Sequence, residues 1–285
     1  MEKFGISAAL LTPFDNNSNI DWPLLCSHAN GLLENGVNSI TLFGTTGEGA
    51  SISLTERRRG VEELINAACP VTKIVQGICA TSTGDAARQI NDAFELGVRD
   101  FLLLPPFYFK QCTDTGLYDW HCELFSLTDP QARFILYHIP QVSSVSLSVD
   151  LVNRLAAHAG DRLYAIKDSS GSWENTKALL TTSVPVLVGD ERQLHRGIAN
   201  GAVGAISGMA NLYPDRMNRI VQTANADLAL SEEVTRIVSM PVIPALKATL
   251  AARISEPTWE RMRPPLTPLD VNDRQFILGA GKAAV

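Results

Sequence analysis

The stretch LYAIKDSS, residues 163–170, is a short apolar run that ends in a lysine and continues directly into turn residues. An amine at the end of a buried strand is costly unless it is used, because burial disfavours the charged ammonium form. A neutral lysine amine is also the nucleophile that condenses with a ketone to give a Schiff base. The stretch therefore indicates an imine-forming Lys167, or an ordinary strand-end lysine whose ammonium group lies in water.

This run is one of eight β-rich runs that alternate with helical patterns along the chain. The first six are spaced by roughly 30 residues, one strand and one helix each, while the last two intervals of about 20 residues predict short helices. A chain of 285 residues could hold two small domains, but it also fits one α/β barrel of about 250 residues. The predicted strands cover residues 6–11, 39–43, 71–79, 100–104, 133–139, 163–167, 184–188 and 202–206.

No strand pattern returns after Pro214, and prolines separate several helical segments in the remainder. We therefore predict an α/β fold, a (β/α)8 TIM barrel with a C-terminal helical extension. The barrel is assigned to residues 1–213 and the extension to residues 214–285, packed on the barrel as one structural unit. Helix caps support the helical segments, among them a capping box that begins at Ser53.

Composition and charge restrict the class of protein. With 45% hydrophobic and 19% charged residues, the chain can bury a sizeable core. A net charge of -6 argues against nucleic acid or an anionic membrane as partner, since both reward clustered lysine and arginine. The single basic run, Arg57 to Arg59, is most simply a solvated helix face. Five scattered cysteines without a C-x-x-C pair, and no signal peptide or membrane span, predict a cytoplasmic protein.

Reactive residues follow several of the predicted strands, at the barrel face where active sites of this architecture lie. Gly44, Thr45 and Thr46 follow the second strand, where backbone N–H groups and two hydroxyls suit a carboxylate; a tight structural turn is the alternative. Tyr137 ends the fifth strand and could move a proton, although a core tyrosine is the simpler interpretation.

The seventh and eighth strands add Gly189, Asp190, Glu191 and Ser207. The two acids could accept hydrogen bonds from substrate hydroxyls, or they could simply begin a helix. Asp168 points to the opposite face of its strand from Lys167 and receives no catalytic role. The histidines show no H-x-x-x-H or H-E-x-x-H spacing, so we predict no metal site and no cofactor.

Six motifs appear together in one order along the chain. They are GTTGE at residues 44–48, PPFY at 105–108, YHIP at 137–140, AIKD at 165–168, GDE at 189–191 and RPPL at 263–266. Together they resemble the dihydrodipicolinate synthase / N-acetylneuraminate lyase family over essentially the full chain. This resemblance implies a (β/α)8 barrel, assembled as a homotetramer of paired dimers, that performs class I aldolase chemistry on pyruvate and an aldehyde.

The resemblance also implies roles for individual residues. Lys167 would form the imine with pyruvate, Thr45 and Thr46 would bind the pyruvate carboxylate, and Tyr137 would donate and accept protons. Tyr108 matches a tyrosine that reaches into the neighbouring subunit's site in the synthases. Substrate contacts distal to the imine are implied for Gly189, Asp190, Glu191 and Ser207.

One departure from the family pattern bears on the substrate. The lysine-pathway synthases carry an arginine for the carboxylate of aspartate semialdehyde shortly after the Y-x-x-P motif, whereas Val142 stands there in this chain. A neutral side chain cannot replace a bidentate guanidinium. We therefore predict a lyase that reversibly cleaves a 2-oxo-3-deoxy acid to pyruvate and an aldehyde. The alternatives are 4-hydroxy-tetrahydrodipicolinate synthase, a metal-dependent aldolase on the same fold, and a barrel that binds a 2-oxo acid without turnover.

Overall fold

Eight parallel strands close into one barrel in the computed structural model, which describes residues 3–279. The strands follow chain order, and the first pairs with the last. The predicted (β/α)8 TIM barrel is therefore confirmed. The strands are β1 Gly5–Ala9, β2 Ser39–Leu42, β3 Ile74–Ile78, β4 Asp100–Leu103, β5 Arg133–His138, β6 Leu163–Asp168, β7 Val186–Val188 and β8 Gly204–Ser207.

Helices connect the strands and continue beyond them. The two short intervals hold helices of seven and six residues, as the spacing predicts. In chain order the helices are α1 Trp22–Glu34, α2 Leu54–Asn66, α3 Thr83–Glu95, α4 Asp114–Ser126, α5 Pro140–Ser143, α6 Val149–Ala159, α7 Trp173–Leu179, α8 Leu194–Ala199, α9 Pro214–Thr223, α10 Leu228–Val238, α11 Val242–Ile254 and α12 Val271–Gly279.

Local sequence chemistry accounts for where several helices begin. The Ser53 hydroxyl accepts from the Glu56 amide, and the Glu56 carboxylate accepts from the Ser53 amide, so the predicted capping box opens α2. Ser148 caps α6 in the same way, through the amide of Leu151. These bonds satisfy amide groups that have no partner inside the helix.

Two apolar layers fill the space inside and outside the barrel wall. Because side chains alternate along a strand, one set points into the barrel and the other packs under the helices. The inner set places Tyr137 and Lys167 toward the barrel axis. Its apolar members are Ala9, Val75, Leu102, Ile135, Tyr137, Ile139, Ala165, Leu187 and Ile206.

Two local expectations are wrong. Val71–Lys73, predicted as the start of a strand, forms a 3-10 turn after Pro70, and β3 begins only at Ile74. Arg57, predicted on a solvated face, is 3% exposed. Its guanidinium donates to the carbonyl oxygens of Gly77 and Gly49 at 2.6 and 2.5 Å, so it ties α2 to the strand ends.

The C-terminal helices cover the carboxyl end of the barrel. Helix α9 packs on α8 and β1, in the place of the eighth barrel helix, and α10 and α11 then lie over the strand ends. The predicted division at residue 213 stays a prediction. Within residues 3–279, no helix is long and apolar enough to cross a membrane.

A buried ion pair fixes α11 to the loop after β2. Lys247 Nζ lies 2.5 Å from Glu48 Oε1 and donates to the carbonyl of Arg261 at 2.7 Å, and neither side chain of the pair is exposed. Burial lowers the pKa of Lys247 to about 8, against the opposing effect of Glu48. The backbone amide of Arg263 donates to the other oxygen of Glu48 at 3.1 Å.

Candidate active site

Lys167 and Tyr137 are the penultimate residues of neighbouring strands and lie side by side in register. Lys167 is 5% exposed, and its Nζ lies 4.3 Å from the centroid of the Tyr137 ring. Among residues 3–279, no hydrogen bond or ion pair involves this amine. The side chain is therefore buried in the mouth of the barrel and does not extend into solvent.

The opposite face of the same two strands is structural, as the alternation of side chains predicts. The Asp168 carboxylate accepts from the Thr176 hydroxyl at 2.7 Å and from the Ser170 amide at 3.0 Å, and His138 Nδ1 lies 3.4 Å away. Burial opposes ionisation, but these hydrogen bonds outweigh it and lower the pKa of Asp168 to about 2. The network holds the end of β6 beside α7 and leaves Lys167 on the inner face.

The loop after β2 brings Thr45 and Thr46 to the same cavity as Lys167. The loop is tightly folded, since the Gly49 amide donates to the Gly44 carbonyl at 3.0 Å. Glycine is needed at residue 49, because a Cβ there would lie 2.0 Å from the Phe43 carbonyl oxygen. The loop is thus a tight structural turn that also lines the cavity, and its binding role stays a prediction.

A cavity of about 410 Å³ lies over Lys167. Its polar wall comes from the loops after β2, β6 and β7, and its apolar wall from α10 and α11. A smaller side lobe of about 250 Å³ adjoins it, shares Thr45 and Tyr137, and also takes in Gly44. Together they offer room for a small acid and a second reactant.

The two acids of the loop after β7, Glu191 and Asp190, have different hydrogen-bond partners. Glu191 reaches the cavity, and its Oε1 accepts from the Ser207 hydroxyl at 2.7 Å and from the Met209 amide at 3.2 Å. Burial raises the pKa of Glu191. Ser207 is fully buried behind Glu191 and does not line the cavity. Gly189 lines it, and a Cβ there would lie 1.9 Å from Ser169 Oγ.

Asp190 also lines the cavity, but its oxygens are already engaged. Oδ1 accepts from Arg192 Nε at 2.9 Å and from the Arg192 amide at 3.1 Å, and Oδ2 accepts from Arg192 Nη2 at 2.7 Å. Arg192 was not among the site residues predicted from the sequence, although its position directly after the GDE motif places it at the same strand end. The guanidinium lies on the wall of the same cavity as the Lys167 side chain.

Tyr108 stands apart from these residues. It is 74% exposed on the loop after β4 and lines neither the cavity nor its side lobe. It therefore cannot serve the Lys167 of its own chain in this arrangement. Throughout residues 3–279, no group of three or more histidine, cysteine or acidic side chains is placed to hold a metal ion.

Comparison with known proteins identifies the family. The model of the dihydrodipicolinate synthetase family matches residues 2–278. The chain belongs to this family. An uncharacterized DapA-like lyase from Chloroflexus aurantiacus is 33% identical over 280 residues, 94% of this chain and 92% of the relative. A 4-hydroxy-tetrahydrodipicolinate synthase from Sulfurimonas denitrificans is 31% identical over 246 residues, 85% of this chain and 81% of the relative.

A solved structure agrees with this assignment. The crystal structure of dihydrodipicolinate synthase from Agrobacterium tumefaciens is 40% identical, with a TM-score of 0.95 over 98% of each chain. Family membership confirms the predicted reaction class, so the chain is a class I aldolase or lyase of the dihydrodipicolinate synthase family.

Proposed function

We propose that this chain reversibly cleaves a 2-oxo-3-deoxy acid to pyruvate and an aldehyde through an imine on Lys167. The observation that carries the proposal is the unpartnered, buried Lys167 amine beside the Tyr137 ring, in a cavity that Thr45 and Thr46 also line. An amine that is kept out of bulk water and free of a counter-ion is available as a nucleophile.

The proposed reaction proceeds in four steps, which are imine formation, cleavage of the C3–C4 bond, protonation of the enamine and hydrolysis of the imine. Lys167 Nζ attacks the C2 ketone and water leaves, which gives a protonated imine that withdraws electrons from C2. During imine formation Tyr137 gives its proton to the departing hydroxyl, which leaves as water, and the resulting phenolate then takes the proton of the C4 hydroxyl. The C3–C4 bond breaks and the aldehyde departs. The electron pair remains at C3 as an enamine, which is protonated and hydrolysed to pyruvate. No cofactor or metal is required for this sequence.

Thr45 and Thr46 are proposed to hold the carboxylate next to C2. Their hydroxyls lie on the loop opposite Lys167, and the backbone amides of the loop add further donors. Gly44 lets the backbone come close to the bound acid. Fixing the carboxylate sets the C2 carbon at the amine, which is how positioning lowers the barrier to imine formation.

The exposure of Tyr108 supports a homo-oligomer of this chain. Tyr108 and the neighbouring Phe109 are 74% and 70% exposed and stack edge to face, with ring centroids 5.4 Å apart. Two exposed aromatic rings on a loop near the strand ends are suited to a protein interface. We propose a homo-oligomer, a dimer of dimers, in which Tyr108 of the partner subunit completes the proton relay at Tyr137.

The uncharged cavity wall at Val142 favours a lyase over the synthase alternative. Val142 is 56% exposed and lines both the cavity and its side lobe, so this wall offers no charge to a second carboxylate. The relatives named as 4-hydroxy-tetrahydrodipicolinate synthases keep that activity as the alternative. Efficient turnover of aspartate semialdehyde with pyruvate would favour the synthase activity.

All five cysteines are free, which suits the proposed cytoplasmic location.

Trapping tests the central step. Incubation with pyruvate and borohydride should add one reduced pyruvate to Lys167, as peptide mass spectrometry will show. Lys167→Ala should give no adduct and no turnover, while Lys177→Ala, at an exposed lysine of α7, should behave as the parent chain. A parent chain that gives no adduct at Lys167 contradicts the proposal. Pyruvate binding without an adduct or product would instead support a non-catalytic barrel.

A further inference from the structure

The cavity over Lys167 is also lined by a guanidinium group from the neighbouring strand end. Arg192 follows β7, lines this cavity, and has 38% of its side chain exposed. Lys167 is at the end of β6, so the imine and the guanidinium belong to neighbouring strand ends of one cavity. Lys167 and Arg192 therefore border the same space.

Asp190 holds the guanidinium by one edge only. Nε and Nη2 of Arg192 donate to its two carboxylate oxygens at 2.9 and 2.7 Å, a bidentate pair. A guanidinium carries five N–H donors, so this pairing leaves the Nη1 group and one N–H of Nη2. Among residues 3–279 no hydrogen bond to Nη1 is formed. Asp190 thus orients Arg192 and leaves its outer edge available to a ligand.

The surroundings favour an anion at that free edge. The wall formed by α10 is apolar, with Val234, Ile237 and Val238 facing the cavity, and such a wall strengthens the attraction between a guanidinium and an anion. Asp190 and Glu191 are the nearby acids that could oppose it. The charge of Asp190 is matched by its pairing with Arg192 itself. Burial raises the pKa of Glu191, and its Oε1 is already engaged by the hydroxyl of Ser207 and the amide of Met209.

We propose that Arg192 binds an anionic group, a carboxylate or a phosphate, at the end of the substrate far from the imine. This inference rests on the proposed function and narrows its substrate to 2-oxo-3-deoxy acids that bear a second acidic group. Val142 leaves the wall after β5 uncharged, so Arg192 is the residue that sets this preference. It acts as a specificity determinant and takes no part in breaking the C3–C4 bond.

The test uses three six-carbon acids that differ at the far end: 2-oxo-3-deoxygluconate, its 6-phosphate, and 2-oxo-3-deoxyglucarate. Each competes with pyruvate for borohydride trapping at Lys167, so affinities can be ranked with or without turnover. The parent chain should bind at least one of the two compounds with an anionic far end roughly 10- to 100-fold more tightly than 2-oxo-3-deoxygluconate, whose far end is uncharged, as one charge-assisted bidentate contact allows. The phosphate and carboxylate compounds then show which anion is preferred.

Substitution assigns the preference to one side chain. Arg192→Met should remove the 10- to 100-fold advantage of the acidic compound and change the affinity for 2-oxo-3-deoxygluconate less than about threefold. Arg192→Lys should keep part of the advantage, because it retains the charge without the fork. Arg196→Met is the matched control, since Arg196 stacks on Trp173 at 3.9 Å and does not line the cavity. Pyruvate trapping should persist in all three variants.

Several results overturn the inference. Equal affinities of the parent chain for the three acids would do so, as would failure of both acidic compounds to compete. An equal loss of affinity for all three acids in Arg192→Met and Arg192→Lys would indicate a structural role instead. A parent chain that forms no pyruvate adduct contradicts the proposed function separately. In that case, the shifts in melting temperature that the three acids cause give the same ranking and decide the role of Arg192.

Discussion

Replacing Lys247 by methionine should lower the free energy of unfolding by about 3–5 kcal/mol, because it leaves a buried carboxylate without its counter-ion. Both side chains of the Glu48–Lys247 pair are 0% exposed and 2.5 Å apart. After the substitution Glu48 retains the Arg263 amide, 3.1 Å from Oε2. Methionine keeps the length of the lysine stem, so lost packing contributes little.

The loss can be expressed as a change in melting temperature. With an unfolding entropy of about 2.1 cal/mol/K per residue, a chain of 285 residues loses roughly 5–8 °C for 3–5 kcal/mol. Thermal unfolding followed by circular dichroism measures this shift. Lys177→Met is the control, since Lys177 is exposed and such a change should stay within about 0.5 kcal/mol.

A second variant tests whether the uncompensated charge is the cause. Glu48→Gln combined with Lys247→Met removes both charges and should be at least about 1 kcal/mol more stable than Lys247→Met alone. The reasoning fails if Lys247→Met unfolds within about 1 kcal/mol of the parent chain, which is below the range for a broken buried pair. It also fails if the double variant is no more stable than the single one.

Two further predictions concern catalysis and acid stability. Tyr137→Phe should lower kcat by about 10²- to 10⁴-fold in a pyruvate-release assay, with the melting temperature nearly unchanged; full activity would exclude the proposed proton transfer. Burial lowers the pKa of His121, which is 0% exposed, from 6.5 to about 4. As the pH falls below 6.5, this histidine is therefore protonated in the unfolded chain before it is protonated in the folded one, and the folded state loses stability. Between pH 6.5 and 4 the free energy of unfolding should fall by about 3 kcal/mol less in His121→Phe than in the parent chain. Denaturant unfolding at both pH values measures this difference, and an identical pH dependence of the two proteins would refute it.

Local patterns in the sequence determined the architecture. Eight apolar runs at the spacing of a strand and a helix are a property of neighbouring residues, and Ser53 and Ser148 mark helix starts through bonds that span three residues. The alternation of side chains along a strand likewise separates Lys167 from Asp168 before any tertiary contact is known. The reaction class followed from motifs that lie at the ends of these strands.

The tertiary structure decided which groups meet across long stretches of chain. Lys247 pairs with Glu48 from 199 positions away, and only closure of α11 over the barrel brings them together. Arg57 looks like a surface charge in its helix, yet its guanidinium finds two carbonyl groups at the strand ends. The anion site proposed at Arg192 likewise depends on α10, whose apolar side chains line the same cavity. Sequence periodicity specifies the face of a helix or strand on which a residue lies. Packing then decides which partner the side chain contacts and how far it is exposed to solvent.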